Sequence, residues 1–128
     1  MTKSILLDKY PIYSIEIAKS NITHDSVDTI VEFFQEKIST HPIAKFIALF
    51  DHYEHTSSIN GEINPTIKAA KNLIFCFGAA IPNTKILAAR PRSIAIAELD
   101  DSFMIEFMQA PVDPLQTTME SWVKELVK

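Results

Sequence analysis

Within residues 50–61, FDHYEHTSSING, His52 and His55 stand three positions apart with Asp51 and Glu54 beside them. Imidazole titrates near neutrality, so such a group suits acid–base work or metal ligation. A metal site needs three or four converging ligands. If the stretch continues a strand, alternation sends His52, Glu54 and Thr56 to one face and Asp51, Tyr53 and His55 to the other. The histidines then diverge. A helical turn instead brings His52 close to His55 and Thr56. His52 with Glu54 supplies two ligands, and His24 or His41 must come from elsewhere to complete a sphere. The residues predict the end of a strand and its exit loop, with Asp51 and His52 bonding local backbone. A place for His52 at the edge of a pocket is the alternative, and no metal site is expected.

A second group is basic. Lys85, Arg90 and Arg92 form the densest cationic cluster, and Pro91 fixes the backbone between the two arginines. Arginine grips a carboxylate or phosphate with two donors. These three residues, with Asp51 and His52, are the candidate ligand-binding set, and the ligand they suit is a small anion. The plainer alternative is a solvated strand start carrying surface ion pairs. Cys76 sits between Phe75 and Phe77 and reads as a small buried hydrophobe. No cation flanks it and no nucleophile motif surrounds it. Glu98, Asp100, Asp101 and Glu106 read as solvating a hairpin. Met104 and Met108 share a strand face with Glu106, a mixed surface that suits a dimer contact.

These groups must be positioned by a small chain. At 128 residues it is expected to form a single domain, 1–128. Its 47% hydrophobic content fits a packed globule. Two glycines, Gly61 and Gly78, are too few for a P-loop or dinucleotide fingerprint, and no other motif implies a cofactor. A net charge of −4 argues against nucleic acid as partner. One cysteine rules out an intrachain disulfide or a thiolate zinc cluster. The opening MTKSILLDKYPIY has only three consecutive apolar residues, short of a signal peptide. No run approaches the ~20 apolar residues of a membrane span. No membrane association and a cytoplasmic location are expected.

Periodicity gives the elements. Tyr13, Ile15 and Ile17 alternate with polar residues as a half-buried strand does. Val27, Ile30, Val31, Phe34 and Ile38 recur at helical spacing, with Thr23 or Asp25 as cap. Residues 43–50 are apolar at nearly every position and predict an interior strand covered on both sides. Residues 73–78, LIFCFG, predict another buried strand, and Pro82 and Pro91 bracket a short helix. SIAIAEL and SFMIEFM flank Asp100–Asp101 as a hairpin. Asp113–Pro114 opens a last helix whose apolar face is Leu115, Met119, Trp122, Val123 and Leu126. The expected fold is α+β, in the order β-α-β-β-β-β-α. Its sheet is five-stranded and antiparallel-rich, with two main helices on one face.

Asp51-His52, Phe77-Gly78, Pro82, the segment from Lys85 to Ala89, Pro91 and Pro111 resemble, in kind and order, the pattern of the bacterial domain-of-unknown-function family 302. The likeness runs from Tyr13 to the C-terminus. Two places differ: Gly78-Ala79-Ala80-Ile81-Pro82 replaces a tighter Gly-Asn-Pro, and Arg90-Pro91-Arg92 replaces a Leu-Pro. The resemblance implies a TATA-binding-protein-like β-α-β4-α arrangement and a homodimer. It implies no DNA binding and no reaction.

The function expected from these observations is a non-catalytic ligand-binding or interaction module, acting as a homodimer. The alternative is a small enzyme using His52 as acid or base, with Arg90 or Arg92 holding an anionic substrate. That alternative requires those side chains to converge in one pocket.

Overall fold

The computed structural model describes residues 1–128. The chain runs β1 (Thr2–Leu6), β2 (Tyr10–Ala18), α1 (Val27–Thr40), β3 (Lys45–Asp51), α2 (His52–Ser58), β4 (Ala69–Cys76), α3 (Lys85–Ala88), β5 (Arg92–Glu98), β6 (Ser102–Met108) and α4 (Asp113–Lys124). A 3₁₀ turn, Lys19–Asn21, follows β2. All six strands form one antiparallel sheet in the order β1-β2-β6-β5-β4-β3.

The alternation of β2, β4, β5 and β6 sends one set of side chains to a single face. Ile17, Leu73, Phe75, Ile94, Ile96, Phe103, Ile105 and Phe107 are all buried there. They join Val27, Ile30, Val31, Phe34 and Ile38 of α1, with Met119, Trp122 and Val123 of α4, in one core. Both long helices therefore lie on the same side. Ser26 caps α1, accepting from the Thr29 N–H at 3.1 Å while the Thr29 hydroxyl accepts back from the Ser26 N–H. The cap is thus Ser26, not Thr23 or Asp25, because only a residue directly before the first turn reaches its free N–H groups. In α4, Pro114 occupies the first turn, where its missing N–H costs nothing, and Val112 rather than Asp113 holds the cap position.

The opposite sheet face carries Ser14, Glu16, Ala95, Ala97, Met104 and Glu106, as their register pairs show. Ser14 donates to Glu106 and Ser102 to Glu16, each at 2.7 Å. A groove of about 510 Å³ crosses this face between Ser4 and Leu6 of β1 and Asn72 of β4. No helix is long and apolar enough to cross a membrane.

Three features depart from the sequence expectation. The sheet has six strands, not five. The extra strand, β1, turns into β2 through Leu7 and Asp8, both left-handed with φ 52° and 57°. That turn normally advertises itself with glycine or asparagine, and here it does not. Second, β3 is an edge strand rather than an interior one. Phe46, Ile47, Leu49 and Phe50 are 37–50% exposed, and the register jumps between Phe46 and Ala48, leaving Ile47 as an extra residue. Third, residues 52–58 are helical rather than a strand end and loop. Asp51 caps this helix by accepting from the Glu54 N–H at 2.9 Å. Asn60, at φ 56°, ends it, with Asn60 and Gly61 N–H groups bonding the Ser57 and Thr56 carbonyls at 3.1 and 2.8 Å.

Candidate functional site

The five candidate residues fall in two places. Asp51 closes β3 opposite Lys71 of β4, whereas Arg92 opens β5 opposite Phe75. Four residues of β4 separate those positions, roughly 14 Å along the strand at ~3.4 Å each. Asp51 and His52 therefore do not meet the arginines.

At the first place, α2 replaces strand alternation with helical spacing. His52 and His55 both turn to Phe50, with ring centroids at 4.5 and 5.5 Å. His52 is exposed and edges a shallow depression of about 200 Å³ with Glu62 and Ile63. No three His, Cys, Asp or Glu side chains converge there or elsewhere in the chain. Asp51 is already engaged as the α2 cap, and Lys71 Nζ lies 3.9 Å from its second oxygen. The same ammonium donates to Asp28 at 2.7 Å. That hydrogen bond holds the Lys71 pKa above its ordinary value, against a smaller opposing effect of burial.

A test at high pH follows. The folded state holds the Lys71 proton more tightly than the unfolded chain, where lysine titrates near ~10.4. The stabilisation is complete below that pH and is lost as pH rises through the folded value. The gap in urea midpoint between wild type and Lys71→Met should stay constant from about pH 7 to 9.5 and narrow above about 10.5. A gap that widens with alkalinity would contradict this.

The second place is a built pocket. β4 leaves the sheet at Phe77-Gly78, α3 follows, and the chain returns through a cis Arg90–Pro91 bond into β5. Between this excursion and the start of α4 lies a cavity of about 180 Å³, and six of its ten lining residues are hydrophobic. Phe77, Ile86, Val112 and Leu115 supply apolar wall, and Arg90 and Arg92 supply the charge. Gly78 leaves room for the Arg90 guanidinium, which a Cβ there would displace. The Val112 wall is fixed by Gln116, itself buried. Its Oε1 accepts from the Ala110 N–H at 2.9 Å and its Nε2 donates to Glu120 at 3.2 Å.

Arg90 and Arg92 are the only arginines in the chain. Neither pairs with a carboxylate, whereas Lys19, Lys37, Lys68 and Lys71 all do. Arg92 donates from one terminal nitrogen to the Met108 carbonyl, and its Nε is buried with no hydrogen-bond partner in the protein. Burial lowers its pKa from the ordinary value, yet guanidinium stays charged in proteins. The site is thus a small apolar cavity with two uncompensated guanidinium groups. An arrangement of this kind binds anions by forked, charge-assisted hydrogen bonds. Lys85 is exposed on α3, next to the lining residue Ile86, and does not line the cavity.

The walls at Ile86, Val112 and Leu115 lie outside the candidate set that the sequence offers. The available signal was compositional: both arginines of the chain bracket one proline. His41, which the sequence offers only as a distant metal ligand, has a structural place. It packs edge-on to Phe77 and Trp122, with centroids at 5.0 and 6.0 Å, and its Nδ1 accepts from the Ile43 and Ala44 N–H groups. It therefore orders the chain leaving α1 beneath the pocket wall.

No curated protein matches this chain in sequence. A family model does, and it is not that of family 302, which the short motifs resemble. The match covers residues 1–128, and the chain accordingly belongs to the family of unknown function DUF6858.

Proposed function

We propose that the protein is a non-catalytic module that binds a small anion between Arg90 and Arg92 and acts as a symmetric homodimer in the cytoplasm. The observation that carries the ligand reading is the pairing of the chain's only two arginines in one cavity, without a carboxylate partner. Lys85 adds positive charge beside the cavity. Asp51 and His52 have no part in this pocket, and the acid–base alternative lacks the convergence it requires.

The dimer is supported by apolar surface. Met108 is 45% exposed on the uncovered sheet face, and β3 leaves Phe46, Ile47, Leu49 and Phe50 at a free edge. A two-fold contact uses such a patch on both copies. The single Cys76 fits a reducing compartment. The succession β2-α1-β3-β4-β5-β6-α4, with β1 and two short helices added, supports a distant kinship with family 302 and its TATA-binding-protein-like arrangement.

Native mass spectrometry of the purified full chain tests both parts. The expected species is a dimer carrying a small acidic adduct, and the adduct is absent from Arg92→Met. A monomer at high micromolar concentration rejects the dimer. An adduct that survives in Arg92→Met and in Arg90→Gln rejects the pocket.

A further inference from the structure

We infer that the ligand is a short aliphatic monocarboxylate without amino or hydroxyl substituents, an assignment that rests on the anion-pocket reading above. The carboxylate lies between the guanidinium groups of Arg90 and Arg92, and the tail lies against Phe77, Ile86, Val112 and Leu115.

Size sets the first limit. The cavity, about 180 Å³, is well below the ~300–1,000 Å³ of pockets for larger ligands. Nucleotides and sugar phosphates do not fit. The donor set sets the second limit. The two arginines are the only lining residues with polar side chains. Two planar forks match the two oxygens of a carboxylate. A phosphate dianion brings more acceptor oxygens and a larger desolvation cost into an apolar enclosure. The third limit comes from what the lining lacks. It contains no acidic residue, so the ammonium of an amino acid finds no counter-charge there. It contains no hydroxyl or amide side chain, so a hydroxy acid leaves its hydroxyl without a side-chain partner.

The test is a ¹H–¹⁵N NMR titration of the full chain with sodium acetate, butanoate, 4-methylpentanoate, leucine and inorganic phosphate at constant ionic strength. Saturable shifts are expected at the Gly78, Ala89 and Val112 amides for the simple carboxylates. Affinity should rise roughly fourfold per methylene from acetate to butanoate, as burial of each CH₂ predicts. Leucine and phosphate should bind at least about tenfold more weakly than 4-methylpentanoate and butanoate respectively, since each leaves a charge uncompensated. Arg92→Met should abolish the shifts. Arg90→Gln, at a side chain with no hydrogen bond within the fold, provides a second variant that should weaken them about tenfold or more. Phosphate binding as tightly as butanoate at the same amides, and lost in both variants, overturns the carboxylate assignment and leaves the anion pocket standing. Leucine binding as tightly as 4-methylpentanoate also overturns the assignment. No saturable shift at these amides with any of the five compounds overturns both the assignment and the pocket.

Discussion

Trp122→Ala should destabilise the protein by about 3–5 kcal/mol, the range for deleting a buried large aromatic. The ring is only 6% exposed. It stacks on Phe77 with centroids 5.3 Å apart and planes at 28°, and leans on Phe75 at 6.0 Å. His41 closes a further side at 6.0 Å. Three aromatic neighbours from two other segments therefore lose their contact together, and α4 loses its anchor on the sheet. Domain stabilities run to about 5–15 kcal/mol, so this loss is a large share of the whole. Urea unfolding of wild type and variant gives the number. A loss below about 1 kcal/mol would mean that α4 is not docked as the structure has it.

The second large effect is expected from Phe34→Ala, again about 3–5 kcal/mol. Phe34 is the largest wholly buried side chain of α1, at 0% exposure. It lies among Ile30, Val31 and Ile38 on the face that α1 turns to the sheet. Its ring meets Phe33 edge-on at 5.3 Å, and Phe33 in turn meets His24 at 5.6 Å, so the loss reaches the segment before the helix. The surroundings are a strand layer and a helix, neither of which collapses readily into a phenyl-sized void. Thermal unfolding should drop by on the order of 10–20 °C, from the usual scaling of midpoint with stability. Phe34→Leu, which keeps most of the volume, should recover more than half of the loss. Equal losses from both variants would show that ring volume is not what the site requires.

Much of the architecture was readable because it depends on short-range patterns. The five apolar residues named for α1 are all buried, and of those named for α4 all but the half-buried Leu115 are. The hairpin at Asp100–Asp101 closes with the Leu99 N–H bonding the Ser102 carbonyl at 2.9 Å. Burial on one helix face leaves a period of 3.6 in the sequence, and burial on one strand face a period of 2. The failures have a different origin. β1 is exposed along its whole length and so carries no burial pattern to read. Its turn uses Leu7 in a conformation costing a non-glycine residue about 1–2 kcal/mol. Residues 43–50 are apolar at every position but Lys45, which a strand between neighbours and an edge strand share, because strand order is not a local property. α2 follows β3 without a break and spans only seven residues, which hides it, although Asp51 with Glu54 three residues on is a helix-start pattern.

The candidate pocket was half legible for the same reason. Arg90-Pro91-Arg92 is contiguous and stands out as a charge cluster. The walls come from segments more than 30 residues apart in the chain, Phe77 to Leu115, and only the fold brings them together. Asp51 and His52 entered the candidate set through their chemistry. Their positions relative to the arginines were fixed by the β3–β4 and β4–β5 registers, which residue types do not encode.

The strand order has a consequence for synthesis. β2 lies between β1 and β6, and its long ladder is to β6: Ile12 opposes Met108 and Ala18 opposes Ser102. A chain emerging from the ribosome at ~5–20 residues per second delivers β2 roughly 5–20 s before β6 can receive it. During that interval β3, β4 and β5 can pair in sequence, each with its immediate predecessor. The β1–β2 hairpin must wait, and two-stranded hairpins alone are marginal in water. The nascent protein therefore carries Ile15 and Ile17 without their partners, together with the apolar free edge of β3, until β6 has been made. Early termination beyond β5 yields no smaller version of the domain. It yields a three-stranded fragment with a second open edge where β6 belongs.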